Sequence, residues 1–182
     1  TIVSNKAGGD GAGGALLTGG DAISACKLFY STIKGNSTTA ATGAGGVTVN
    51  RGSMYNCSVL WNRGGVGGGV GIAHGYVENC LIAGNQATGK GGGVSRGTLA
   101  YTDAKMVNCT IVRNRADGGG GGVSDASTGA ARTNGFLNTI VYHNVSNSAP
   151  DDIVAAGAVL DTVFGYSCAT NLTAGANGNT VG

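Results

Sequence analysis

Five cysteines, two histidines and nine carboxylates are the groups in this chain whose chemistry could reach beyond packing. Cys57, Cys80 and Cys109 each follow an asparagine, as Asn56-Cys57, Asn79-Cys80 and Asn108-Cys109, so they recur as members of one unit rather than as a ligand set. Neither Cys-x-x-Cys nor His-x-x-x-His spacing occurs, and no metal or cofactor is expected. An odd cysteine count leaves at least one thiol unpaired even in an oxidising compartment. Asp151-Asp152 is the one adjacent carboxylate pair, and beside Pro150 it reads as a solvated turn. His74, followed by Gly75 and lacking a partner, reads as a loop residue, because a lone histidine rarely does acid–base work. Cleavage of a polysaccharide needs clustered carboxylates, whereas the acids here are dispersed, so no catalytic residue is expected. Trp61, Arg113, Tyr142 and His143 are of another kind: they recur at corresponding places of a repeat, with Arg63 and Arg115 just beyond. Aromatic rings and guanidinium groups on a flat surface stack on sugar rings or meet another subunit, which makes these four the candidate surface contact.

The repeat that positions them is read from the tetrad Ile/Val-x-x-Asn. It occurs as Ile2-Val3-Ser4-Asn5, Ile33-Lys34-Gly35-Asn36, Val59-Leu60-Trp61-Asn62, Ile82-Ala83-Gly84-Asn85, Ile111-Val112-Arg113-Asn114 and Val141-Tyr142-His143-Asn144. Successive asparagines lie 31, 26, 23, 29 and 30 residues apart. A second tetrad follows each of the first five: Gly13-Gly14-Ala15-Leu16, Gly45-Gly46-Val47-Thr48, Gly68-Gly69-Val70-Gly71, Gly92-Gly93-Val94-Ser95 and Gly121-Gly122-Val123-Ser124. Asn138-Thr139 is a fourth copy of the Asn-Cys element. Within Cys109-Thr110-Ile111-Val112 the apolar period is two, so each unit holds a short strand. Short strands separated by Gly- and Asn-rich bends at this period form the coils of a solenoid.

The predicted fold is all-β, a right-handed single-stranded parallel β-helix of about six to seven coils. Residues 1–144 supply the regular coils, and 145–182 an irregular last coil and a C-terminal loop of the same domain. Stacking builds columns inside the coil: Ile2, Ile33, Val59, Ile82, Ile111 and Val141 as one, and Ser31, Cys57, Cys80, Cys109 and Thr139 as another. Asn5, Asn36, Asn62, Asn85, Asn114 and Asn144, and likewise Asn56, Asn79, Asn108 and Asn138, are expected at bends whose amides bond to main chain and to the asparagine of the next coil. The glycine pairs are expected either to adopt positive φ or to let neighbouring coils approach closely. Cysteines stacked at the strand spacing of about 4.8 Å are too far apart for a disulfide, which wants Cβ atoms near ~3.8 Å. Cys57, Cys80 and Cys109 are therefore expected as buried thiols, and Cys26 and Cys168 as free ones.

Composition narrows the partners. Lys and Arg are scattered singly at a net charge of +2, with no basic run to track a phosphate backbone, so nucleic acid is not expected. No uninterrupted apolar window is long enough to cross a membrane, so no membrane insertion is expected.

The paired tetrads resemble the repeats of bacterial polymorphic outer membrane proteins, Gly-Gly-Ala-Ile/Leu/Val together with Phe-x-x-Asn. Gly13-Gly14-Ala15-Leu16 matches the first outright; the other copies carry Val for Ala, and Ile or Val fills every Phe position. The resemblance covers roughly residues 1–144 and implies a pectin-lyase-like right-handed β-helix, exported to the cell surface and used in adhesion or as a stalk. The expectation is an extracellular or bacterial cell-surface structural segment, a stalk, adhesin or fibre subunit without catalysis. Its partners would be further coils of a longer chain, or identical subunits stacked end to end as a filament. The alternative is a polysaccharide-binding or polysaccharide-degrading (lyase or hydrolase) β-helix.

Overall fold

In the strand Thr110–Val112, only the central side chain can point inward, and in the computed structural model Ile111 is fully buried between two partly exposed neighbours. The same three-residue strand returns at Thr32–Lys34, Ser58–Leu60, Leu81–Ala83 and Ile140–Tyr142. Parallel pairing sets Ile2, Ile33, Val59, Ile82, Ile111, Val141 and Ala169 in one continuous register. The structure describes residues 1–8, 11–19, 26–97, 104–126, 135–155 and 163–182. These form three long sheets: sheet A just described, sheet B of mostly two-residue strands beginning at Lys6–Ala7, and the larger sheet C. The chain is a parallel β-solenoid, with five regular turns and an irregular sixth among the described residues. Pairing is parallel throughout except where Val145–Ser146 meets Ala149–Pro150 in the sixth turn.

The unequal period arises mainly along sheet C. Val47–Tyr55 and Val70–Glu78 run uninterrupted along sheet C, in the two shortest repeats. In other turns the same course is split: Ala15–Thr18 and Cys26–Phe29 pair with the two halves of Val47–Tyr55, and Val94–Arg96 and Lys105–Val107 with those of Val70–Glu78. Most of the extra residues thus enter within sheet C; the 26- and 23-residue repeats, both uninterrupted there, differ by three residues between the corner asparagine and the glycine pair, Asn36 to Gly45 against Asn62 to Gly68, and the other two sheets keep their lengths. Cys57, Cys80, Cys109 and Thr139 are buried beside the aliphatic column, while Ser31, near the open first turn, is partly exposed.

Two left-handed corners flank sheet A. Asn56, Asn79, Asn108 and Asn138 hold φ between 48° and 54° at one, with Tyr30 and Tyr166 in the same place on the outer turns. Ser4, Trp61, Arg113 and His143 hold φ of 55° or 56° at the other, where Gly35 and Gly84 complete the column. The glycine pairs solve a different problem. A Cβ on Gly93 would stand 2.8 Å from the Asn114 Nδ2 and 2.7 Å from the Ile111 Cγ2, so sheet C can close on the interior only where this side chain is missing. Positive φ falls instead on the residue before the pair, Gly67, Gly91 and Gly120.

His74 corrects the sequence reading. It lies inside the strand Val70–Glu78 and is buried, at a bulge where the register against Val47–Tyr55 slips between Ile72 and Gly75. The ends of the solenoid differ. In the first turn Val3, Leu16, Phe29 and Tyr30 are largely exposed, whereas residues 171–182 lie against the last turn, burying Leu172 and Asn179. The segment expected as loop thus includes a short 3-10 turn, Ala176–Gly178, and a bridge from Thr180 to Cys168.

Candidate functional site

An asparagine at the corner after sheet A faces a repeated problem: the backbone turns inward there, and its N–H would be stranded. The side chain of the next turn answers it. The Asn62 N–H and Nδ2 donate to the Asn85 Oδ1 at 2.9 and 3.0 Å, and the Asn85 N–H and Nδ2 donate to the Asn114 Oδ1 at 2.9 and 3.0 Å. The second amide hydrogen turns back, from the Asn85 Nδ2 to the Val59 carbonyl at 2.9 Å. The same pattern runs from Asn5 through Asn36 to Asn144, with Asn36 to Asn144 buried and Asn5 exposed. This ladder has a direction, since each oxygen accepts from the turn before it and each amide donates to the turn after it.

The ladder ends on a carboxylate. Asp152, expected in a solvated turn, is buried; its Oδ1 accepts from the Asn144 N–H and Nδ2 at 3.0 and 2.9 Å. Its Oδ2 accepts from the Thr170 hydroxyl at 2.7 Å and N–H at 3.3 Å. At this rung every facing group is a donor, so an acceptor-only side chain fits where an amide would not. Its neighbour Asp151 accepts from the Gly120 N–H at 2.8 Å. By contrast Asn56, Asn79, Asn108 and Asn138 are exposed at the other corner, where the side chain is held outward by the left-handed backbone. There the Asn138 Nδ2 donates to the Asn108 Oδ1 at 3.1 Å, a contact between asparagines of neighbouring turns made at the surface rather than inside.

A ladder of small side chains runs inside instead. The Cys57 N–H donates to the Cys80 Sγ at 3.4 Å, the Thr139 N–H to the Ser167 Oγ at 3.1 Å, and the Ser167 N–H to the Asn179 Oδ1 at 3.0 Å. Each S–H or O–H turns back to the carbonyl two residues earlier: Cys57 to Tyr55, Cys80 to Glu78, Thr139 to Leu137 and Ser167 to Gly165. The side-chain contact with Cys80, and burial, push the Cys57 thiol far up. The side-chain contact with Cys109, with burial, pushes Cys80 up to about 12, and the same contact holds Cys109 down. All five cysteines are free thiols, with Cys26 and Cys168 partly exposed. Asn179 closes this ladder as Asp152 closes the first, a role visible only once the tail is folded over the last turn.

The outer corner carries the candidate contact residues. Trp61, Arg113 and His143 share the left-handed position on the third, fifth and sixth turns, and Tyr142 stands one residue earlier on sheet A. The Tyr142 and His143 rings meet edge to face, centroids 4.2 Å apart, beside a cleft of about 280 Å³ lined also by Val145, Pro150 and Thr170. The Trp61 indole lies across the next turn, where a Cβ on Gly84 would be 2.5 Å from its ring. Just past the corner, sheet B points a column of side chains outward, Lys6, Ser37, Arg63, Gln86 and Arg115, in consecutive register. Arg63 borders a second cleft of about 340 Å³ walled by Ser37, Thr38, Thr39 and Thr88. Arg115 is joined to Asp117 at 3.4 Å in an exposed pair.

One buried ion pair escaped the sequence reading. Arg96 and Asp125 are opposite each other in sheet C, 3.4 Å apart and buried. Their positions, third after Gly92-Gly93 and Gly121-Gly122, would have matched them as cross-strand partners. Among the described residues no group of three or more His, Cys, Asp or Glu side chains could hold a metal ion. Comparison with family models, with curated proteins and with solved structures found no match.

Proposed function

We propose that this chain is an extracellular structural segment, a stalk, adhesin or fibre subunit of the kind the polymorphic outer membrane protein repeats suggest. The supporting observation is where the interior polar chemistry is spent. Asn36 to Asn144, the cysteine–threonine–serine column and Asp152 use their donors and acceptors to join one turn to the next. A side chain engaged in this way extends a rod rather than reacting with a ligand. The same columns are translationally uniform, so a partner coil adds by continuing them. The test has two arms. Incubation with acidic and neutral polysaccharides should release neither unsaturated nor reducing ends; release of either overturns the reading. Negative-stain images should show rods of constant width, and compact round particles would contradict it.

A further inference from the structure

We propose that the corner between sheets A and B binds a linear anionic polysaccharide, with Trp61 as the stacking platform and Lys6, Arg63 and Arg115 as the anion contacts. This inference concerns the partner and holds whether or not the rod serves as a stalk.

Charge is distributed unevenly. Among the described residues the first five turns of this corner gather Lys6, Lys34, Arg63, Arg113 and Arg115 with the carboxylate of Asp117, and Asp151 and Asp152 stand at the sixth turn, in a chain whose total is only +2. All five cations are exposed. Along sheet B the order Lys6, Ser37, Arg63, Gln86, Arg115 alternates cation with neutral polar residue. The cations therefore recur every second turn, about 9 to 10 Å apart at the ordinary strand spacing. A linear polymer carrying one anion per sugar, laid along the rod, meets a positive charge at regular intervals and a hydroxyl or amide between them.

The backbone points the same way. At the left-handed corner the second and fourth turns use glycine, the inexpensive choice, while the third, fifth and sixth place Trp61, Arg113 and His143 there. A side chain in that conformation costs about 1–2 kcal/mol, and Trp61 there keeps 62% of its surface exposed. Gly84 leaves the flat space over which the indole lies, so the ring is presented as a fixed surface. The cleft beside Arg63, with its four hydroxyl-bearing walls, supplies the polar contacts that sugar hydroxyls require. A nucleic acid strand fits less well, because a lone indole offers no succession of base-stacking platforms.

Trp61 is the sole tryptophan, so its emission reports the site directly. The intact chain is titrated with polygalacturonate, heparin, neutral dextran and a single-stranded oligonucleotide. Polygalacturonate, heparin or both should shift the emission, and molar salt should reverse it; which one acts identifies carboxylate or sulfate as the anion. Arg63→Gln/Arg115→Gln should weaken binding at least tenfold. Lys27→Gln/Lys105→Gln, on exposed positions of sheet C, should leave it unchanged. Should the first pair fail to fold, Lys6→Gln/Arg113→Gln carries the same expectation. Equal response to dextran, tighter binding of the oligonucleotide, no response to either polyanion, or equal loss in the sheet C control would each overturn the proposal.

Discussion

Asn85 and Asn79 lie six residues apart, share one residue type and should respond to glycine in opposite ways. Asn85 makes four side-chain hydrogen bonds: it accepts from the Asn62 N–H and Nδ2, and donates to the Val59 carbonyl and the Asn114 Oδ1. Asn85→Gly or Asn85→Ala leaves two donors of Asn62, its N–H and one Nδ2 hydrogen, inside without their acceptor. At about 1–3 kcal/mol for each of these two groups, the loss is about 2–6 kcal/mol, a large share of the 5–15 kcal/mol that holds a typical domain. Asn79 instead is exposed, and its part is to tolerate φ of 54°. Asn79→Gly should therefore fall within about 0.5 kcal/mol of the parent, and Asn79→Ala cost about 1 kcal/mol. Urea unfolding followed by circular dichroism and by Trp61 emission measures both, and divergence of the two signals would reveal turns unfolding separately. Asn85→Asp adds a sign. Its carboxylate would face two acceptors, raising its folded pKa, so stability is retained below the carboxyl's unfolded range and lost as pH rises through the folded value. An Asn85→Ala loss under about 1 kcal/mol, or one equal to that of Asn79→Ala, would refute the directional ladder.

Three further outcomes are expected. Asp152→Asn places an amide against the Thr170 donors and should cost about 1–3 kcal/mol in the same urea assay, whereas Asp151→Asn should cost less. Native protein at pH 8 should label rapidly with a thiol reagent at Cys26 and Cys168 and slowly at Cys57, Cys80 and Cys109, all five reacting in denaturant; fast labelling of Cys80 would contradict the buried column. Because Cys57 and Cys80 are pushed up from 9.0, their contribution is whole below pH 9 and declines as pH climbs toward about 12, so alkaline melts should fall more steeply for the parent than for Cys57→Ser/Cys80→Ser. Arg96→Met alone removes the guanidinium from a buried ion pair and should cost about 3–5 kcal/mol, while Arg96→Met/Asp125→Leu should recover most of it in a double-mutant cycle.

The order and period of Ile/Val-x-x-Asn, Gly-Gly-Val and Asn-Cys were enough to specify parallel stacking, because a residue repeated once per turn can satisfy itself only against its own copy. The alternation Cys-x-Ile likewise determined which side chains face inward, since strand geometry leaves no other choice. Local rules could not separate the two asparagine columns: both stand at left- or inward-turning corners, and only the closed cross-section makes one buried and the other exposed. Asp152 and His74 went the same way. A Pro-Asp-Asp run and a His-Gly pair carry loop signals, but the donors of Asn144 and Thr170 and the continuous course of Val70–Glu78 override them. The alternate-turn spacing of Lys6, Arg63 and Arg115 was hidden for a related reason: residues far apart in the chain become a surface only when the turns are laid side by side.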